Sequence, residues 1–150
     1  MNFTKYILYP YYGFKNEQND ICLTFDMSKL NVHDFLGKEP DYIMSTLEYY
    51  DDFRIDYNDD NRVIAFEFFS SASVVIKSEN FFNLKEINLF SLSNKELSKL
   101  IKKCDSSAKI DASGIISLKY GIGTYCESSS RNKSESIIIF KKGYYDSLGW

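Results

Sequence analysis

Apolar residues change their period several times along the chain, and each change marks an element. Ile21, Leu23 and Phe25 alternate imperfectly with Cys22 and Thr24 and stop at Asp26, the pattern of a short strand. Ser28 then serves as an N-cap before Val32, Phe35 and Leu36 at i, i+3 and i+4; Gly37 ends the segment and Pro40 follows, which predicts one short helix. From 45 to 69 the β-branched and aromatic content rises between turn signals at Asp51-Asp52 and Asn58-Asp59-Asp60-Asn61. That pattern predicts three antiparallel strands over 45–50, 53–57 and 62–69. Ser73-Val74-Val75-Ile76-Lys77 predicts a fourth strand, and 81–90 follows no regular period.

The clearest element comes next. Ser93-Asn94-Lys95-Glu96 is a capping box, and Leu97, Leu100, Ile101 and Cys104 follow at i, i+3, i+4 and i+7 with Lys95, Lys99, Lys102 and Lys103 on the other side. This is a surface helix with one buried face. Residues 115–118, 120–126 and 136–140 read as strands, the last two joined by the polar loop 127–135. Lys142-Gly143-Tyr144-Tyr145-Asp146 reads as an exposed turn carrying aromatics. No repeat of solenoid or propeller length is present, so the pattern predicts one α+β domain: a curved antiparallel sheet with two helices packed on it.

Composition narrows the function more than the fold. At 150 residues and 44% apolar content the chain can bury one core. The N-terminal residues carry neither a basic region nor a long apolar run, and no apolar stretch approaches bilayer length, which predicts a cytoplasmic protein without membrane attachment. On that expectation, Asn2-Phe3-Thr4 and Asn132-Lys133-Ser134 fit the glycosylation pattern without meeting its machinery. The three cysteines, Cys22, Cys104 and Cys126, lack metal-site spacing and read as reduced, buried thiols. A net charge of -3 and three arginines argue against nucleic acid as the partner and favour a basic protein. With 12 Tyr and 12 Phe, some rings must reach the surface, where Tyr suits protein contacts.

Candidate chemistry is sparse. Asp56, Asn58, Asp60 and Glu67 occupy positions 1, 3, 5 and 12 of an EF-hand calcium loop with Val63 at the apolar position 8. Asn61 stands where that loop needs glycine, and the flanks are β-rich, so an ordinary hairpin is the better account. His33, the single histidine, has no nucleophile-elbow sequence with it and reads as a partly exposed structural residue. Gly121-Ile122-Gly123 lacks the third glycine of a dinucleotide site and fits a strand with close backbone neighbours. No pair among the acids is singled out for hydrolysis, and the lysine face at 95–103 reads as solvated. The expectation is a protein with no catalytic residues, no metal and no cofactor.

Charge distribution is more informative. Between 41 and 60 lie seven acids, Asp41, Glu48, Asp51, Asp52, Asp56, Asp59 and Asp60, against Arg54 alone, interleaved with Tyr42, Tyr49, Tyr50 and Tyr57. Acids among tyrosines can steer a basic protein to a surface and anchor it there; solvated turns with core-facing rings are the bland alternative.

A resemblance adds to this. The succession Ile21-Cys22-Leu23-Thr24-Phe25-Asp26-Met27-Ser28, then Phe35-Leu36-Gly37-Lys38-Glu39-Pro40, then the turn at 58–61 resembles the opening of small bacterial immunity proteins of polymorphic-toxin and contact-dependent growth inhibition systems. Leu89-Phe90-Ser91-Leu92-Ser93, Tyr120-Gly121-Ile122-Gly123-Thr124-Tyr125 and Phe140-Lys141-Lys142-Gly143-Tyr144-Tyr145 extend it over most of the chain; Asp26 stands where that pattern has a small residue. The resemblance implies a non-enzymatic protein that binds the C-terminal domain of a cognate toxin, often a nuclease, and covers its active site. Tyr49, Tyr50, Asp51, Asp52, Asp56, Asp59 and Asp60 are the residues expected on that surface. The competing functions are a calcium-responsive domain using 56–67 and a small hydrolase.

Overall fold

The computed structural model describes residues 4–77, 87–111, 113–126 and 133–145. It is mixed α+β with two helices, but its strands form two sheets where one curved sheet is expected. The smaller sheet has the order β3-β2-β1-β8, built from β1 (Lys5–Tyr9), β2 (Gly13–Asn16), β3 (Cys22–Thr24) and β8 (Ser73–Ile76). β1 and β8 run parallel, with Ile7 opposite Val75; the other pairs are antiparallel. The larger sheet is an antiparallel run of eight in the order β4-β5-β6-β7-β12-β11-β10-β9. Its strands are β4 (Tyr42–Met44), β5 (Leu47–Tyr49), β6 (Phe53–Tyr57), β7 (Val63–Phe69), β9 (Lys109–Asp111), β10 (Gly114–Ser117), β11 (Ile122–Tyr125) and β12 (Ser136–Phe140).

Phe14 of β2 joins the sheets. Its ring meets Phe66, Phe68 and Phe53 edge-on at 4.8, 5.0 and 5.3 Å between centroids, and Tyr6 meets Phe53 and Phe68 beside it. Edge-to-face contacts of this kind add about 1 kcal/mol each beyond area burial. The buried cluster continues through Leu8, Leu23, Ile55, Ile137 and Ile139 to Leu97 and Ile101, so both sheets and both helices share one core.

Helix α1 (Lys29–Leu36) starts where Ser28 Oγ accepts the Asn31 N–H and ends on Gly37 in the left-handed conformation. Helix α2 (Asn94–Cys104) carries the full capping box, with Ser93 Oγ accepting from Glu96 N and the Glu96 carboxylate accepting from Ser93 N. Both agree with the caps read from the sequence. Asp26, between β3 and α1, has φ +68°, a left-handed conformation that Asp tolerates.

Several expectations need correction. The strand predicted from 45 begins at Leu47, because Ser45 has φ +55° and sits in the two-residue turn between Met44 and Leu47. β1, β2, β4 and β9 carry no readable alternation. Tyr144 and Tyr145, expected on an exposed turn, fold back and are half-buried on Phe140. The irregular stretch is a 3₁₀ turn at Leu89–Ser91, with 81–86 outside the described residues, as are 127–132 of the polar loop, Asn2 and Asp146. Gly121 meets the expectation of close backbone neighbours: a Cβ there would lie 2.7 Å from the Tyr11 ring and 2.9 Å from the Phe140 carbonyl.

Candidate functional site

The charged and aromatic segment 41–60 forms one end of the eight-stranded sheet. Its first strand, β4, is the outermost, and Tyr42, Ile43 and Met44 are 58%, 58% and 48% exposed. Side chains alternate across the pairs Tyr42–Tyr49 and Ile43–Glu48. Tyr42, Tyr49 and Phe69 form an aromatic row on the outer face, at 5.5 and 6.5 Å between centroids, and the Arg54 guanidinium lies 5.9 Å from the Tyr49 ring. Arg54 also pairs with Glu67 at 3.2 Å.

The opposite face of β5 holds the least expected feature. Glu48 is 3% exposed, a carboxylate inside the protein. Its oxygens lie 2.9 and 3.0 Å from His33 Nε2 of α1, and it accepts from the hydroxyl of Tyr57 at 3.0 Å and, more weakly, from that of Tyr50 at 3.5 Å. Burial, with the Glu48 charge second, holds the phenols of Tyr50 and Tyr57 far above their ordinary pKa and keeps them as donors. His33 is therefore a structural tie from α1 to β5, as its type and setting in the sequence suggest. Its partner was not legible: nothing in the pattern around Glu48 separates it from the six other acids of the segment.

The seven residues expected on one surface separate into three places. Tyr49 and Asp56 lie on the outer face, where Asp56 accepts from Thr46 Oγ1 at 2.9 Å and Tyr144 OH at 3.4 Å. Tyr50, Asp51 and Asp52 line an open groove of about 340 Å³ between the sheets, together with Tyr6, Asn16 and Lys38. In that groove Asp51 is exposed, while Asp52 accepts from Tyr6 OH and Ser71 Oγ, both at 3.0 Å. Asp59 and Asp60 sit at the tip of the β6–β7 turn, beyond a five-residue strand that spans roughly 17 Å. Tyr50 is 4% exposed, so its ring belongs to the core and offers no contact area. Its hydroxyl was spoken for by the buried carboxylate.

The stretch 56–67 is the hairpin of β6 and β7: Asn61 has φ +57°, Asn58 Oδ1 accepts from the backbone of Asp60 and Arg62, and Glu67 is held by Arg54 and Ser136. Among the described residues, no three His, Cys, Asp or Glu side chains converge as a metal site. Among the same residues, no helix is long and apolar enough to cross a membrane.

Comparison with protein-family models, with curated proteins and with solved structures finds no match. The site therefore has to be read from its own chemistry. Glu39 and Asp41 lie close enough to Tyr50 for their charges to act on its phenol, and Asp51 is next to it in the chain. Acids thus gather at the Asp41 end of β4, beside exposed apolar side chains, with Lys38 as the nearby base over the Tyr50 ring at 5.6 Å. Residues Tyr42, Ile43 and Met44 are the part of this surface that sequence reading missed as a strand.

Proposed function

We propose that the protein is a non-enzymatic, cytoplasmic binding domain that neutralises a basic partner protein, an immunity protein acting on the C-terminal domain of a cognate toxin. The carrying observation is the combination at the β4 end: exposed Tyr42, Ile43 and Met44, the Tyr49 ring behind them, and the charges of Glu39, Asp41 and Asp51 alongside. Apolar and aromatic area supplies residence time, and the acids supply steering toward a cationic surface. Carboxylates in the cationic substrate site of a nuclease would take the place of phosphates. The His33–Glu48 pair supports binding over catalysis, since its hydrogen bonds are spent on holding α1 against the sheet.

The test is capture from the source cell with the full chain as bait at moderate salt, followed by co-expression of the captured partner with and without this chain. One basic polypeptide recovered in equimolar amount, toxic alone and harmless with the chain present, is the expected result. Absence of a stoichiometric partner, or a partner equally toxic in both cases, overturns the reading.

A further inference from the structure

The two outer strands of the large sheet differ in a way that selects a mode of binding. β9 ends the sheet with Lys109, Ile110 and Asp111, so charged side chains flank its single apolar residue. Flanking charge is a standard protection against edge-to-edge pairing. β4 ends the other side with Tyr42, Ile43 and Met44, all exposed, with no charge and no proline within the strand. Among the described residues its protection is its short length of three residues. The strand is also held firmly from behind, through β5 and the buried Glu48 that His33 and Tyr57 bind. A braced edge that no charge guards is a template for another strand.

Resting on the protein-binding reading above, we infer that β4 accepts an extended basic segment of the partner as a ninth strand of the sheet. Backbone hydrogen bonds to β4 provide the affinity common to any strand. Side chains of that segment alternate between Tyr42 and Met44 on one face and Ile43 on the other, and its Lys or Arg residues meet Asp41, Glu39 and Asp51 at one end. Charge selects this occupant over a second copy: each chain carries -3, and the β4 end that each copy would present has Glu39, Asp41 and Asp51 beside it against Lys38.

The experiment uses the full chain and two libraries of ten-residue peptides, one alternating Lys or Arg with Val, Ile or Tyr, the other with Asp or Glu in the charged positions. Basic peptides bind, acidic ones do not, and binding slows amide exchange at 42–44. Asp41→Lys with Asp51→Lys, and separately Tyr42→Thr with Met44→Thr, each weaken binding by about tenfold with an unchanged melting temperature. The inference is overturned by equal binding of both libraries, by binding to neither, by unaltered exchange at 42–44, or by sedimentation of the free chain as a dimer. Failure here together with successful capture of a toxin would leave the protein-binding function standing and remove only strand addition as its mode.

Discussion

Each end of the eight-stranded sheet is closed by a helix and a buried carboxylate, and the two ends solve the same problem with different partners. At the α1 end, Glu48 is bonded to three side chains, His33 of α1, Tyr57 of β6 and Tyr50 just after β5. At the α2 end, Asp105, 5% exposed, accepts from Ser117 Oγ at 2.8 Å and from the nearby Ser107 N–H at 3.0 Å. Each acid combines a donor two residues away with donors from other elements: Tyr50 with His33 and Tyr57 for Glu48, Ser107 with Ser117 for Asp105. The surfaces follow the same division: the α1 end shows apolar β4, the α2 end shows charged β9. A bracing device and a surface can thus be varied independently at the two ends of one sheet.

The comparison breaks most visibly at Glu48. Replacing Glu48 with Ala strands His33 and two buried hydroxyls, and a loss of about 3 kcal/mol is expected in urea unfolding. Local exchange at β4 and β5 should rise more than at β9 and β10. Asp105→Ala removes hydrogen bonds that a local turn partly replaces, so about 2 kcal/mol is expected in the same measurement, with the local effect at β9 and β10. An equal loss and an equal spread of exchange in both variants would show that the two carboxylates do not brace separate ends.

Alkaline pH sharpens the contrast. Burial, followed by the charge of Asp56, pushes the Tyr144 phenol from 10.0 up to about 12. Folding favours the protonated phenol, so its stabilisation is whole below pH 10 and is lost as pH climbs from 10 toward about 12. Thermal melting followed across that window should decline, and Tyr144→Phe should decline less steeply. The smallest effect on stability, about 1 kcal/mol, is expected for Lys109→Val with Asp111→Val, which removes the carboxylate that accepts from Ser113 and Gly114 in the β9–β10 turn and leaves β9 without flanking charge, like β4. Light scattering should then detect self-association absent from the parent; a monodisperse variant would show that flanking charge is not what protects that edge.

How much of this was legible depends on where the controlling interactions lie in the chain. Caps at Ser28, Gly37 and Ser93 act within four residues, and the helices stand where those residues put them. The hairpin over 53–69 follows from alternation and from Asn61, which adopts the left-handed conformation its type tolerates. β1 was hidden for the opposite reason: Tyr6, Ile7 and Leu8 are all buried, because β1 is paired on both sides and covered, and continuous burial erases the period of two. β4 and β9 are exposed throughout, which erases it equally. The expected contact surface failed in part because strand length separated Asp59 and Asp60 from Asp51 and Asp52, and the core absorbed Tyr50.

The sequence by itself determined the two helices, the β6–β7 hairpin and the concentration of acid and tyrosine between 41 and 60, since each rests on local periodicity, capping or composition. Tertiary structure alone decided that β1 pairs with β8 some 68 positions away, and that the acid among seven to be buried is Glu48. It decided also that an apolar strand ends the sheet beside the remaining charges. Those outcomes depend on which groups meet in space: Glu48 is buried where His33 of α1 and Tyr57 of β6 arrive, beside its chain neighbour Tyr50, to satisfy it.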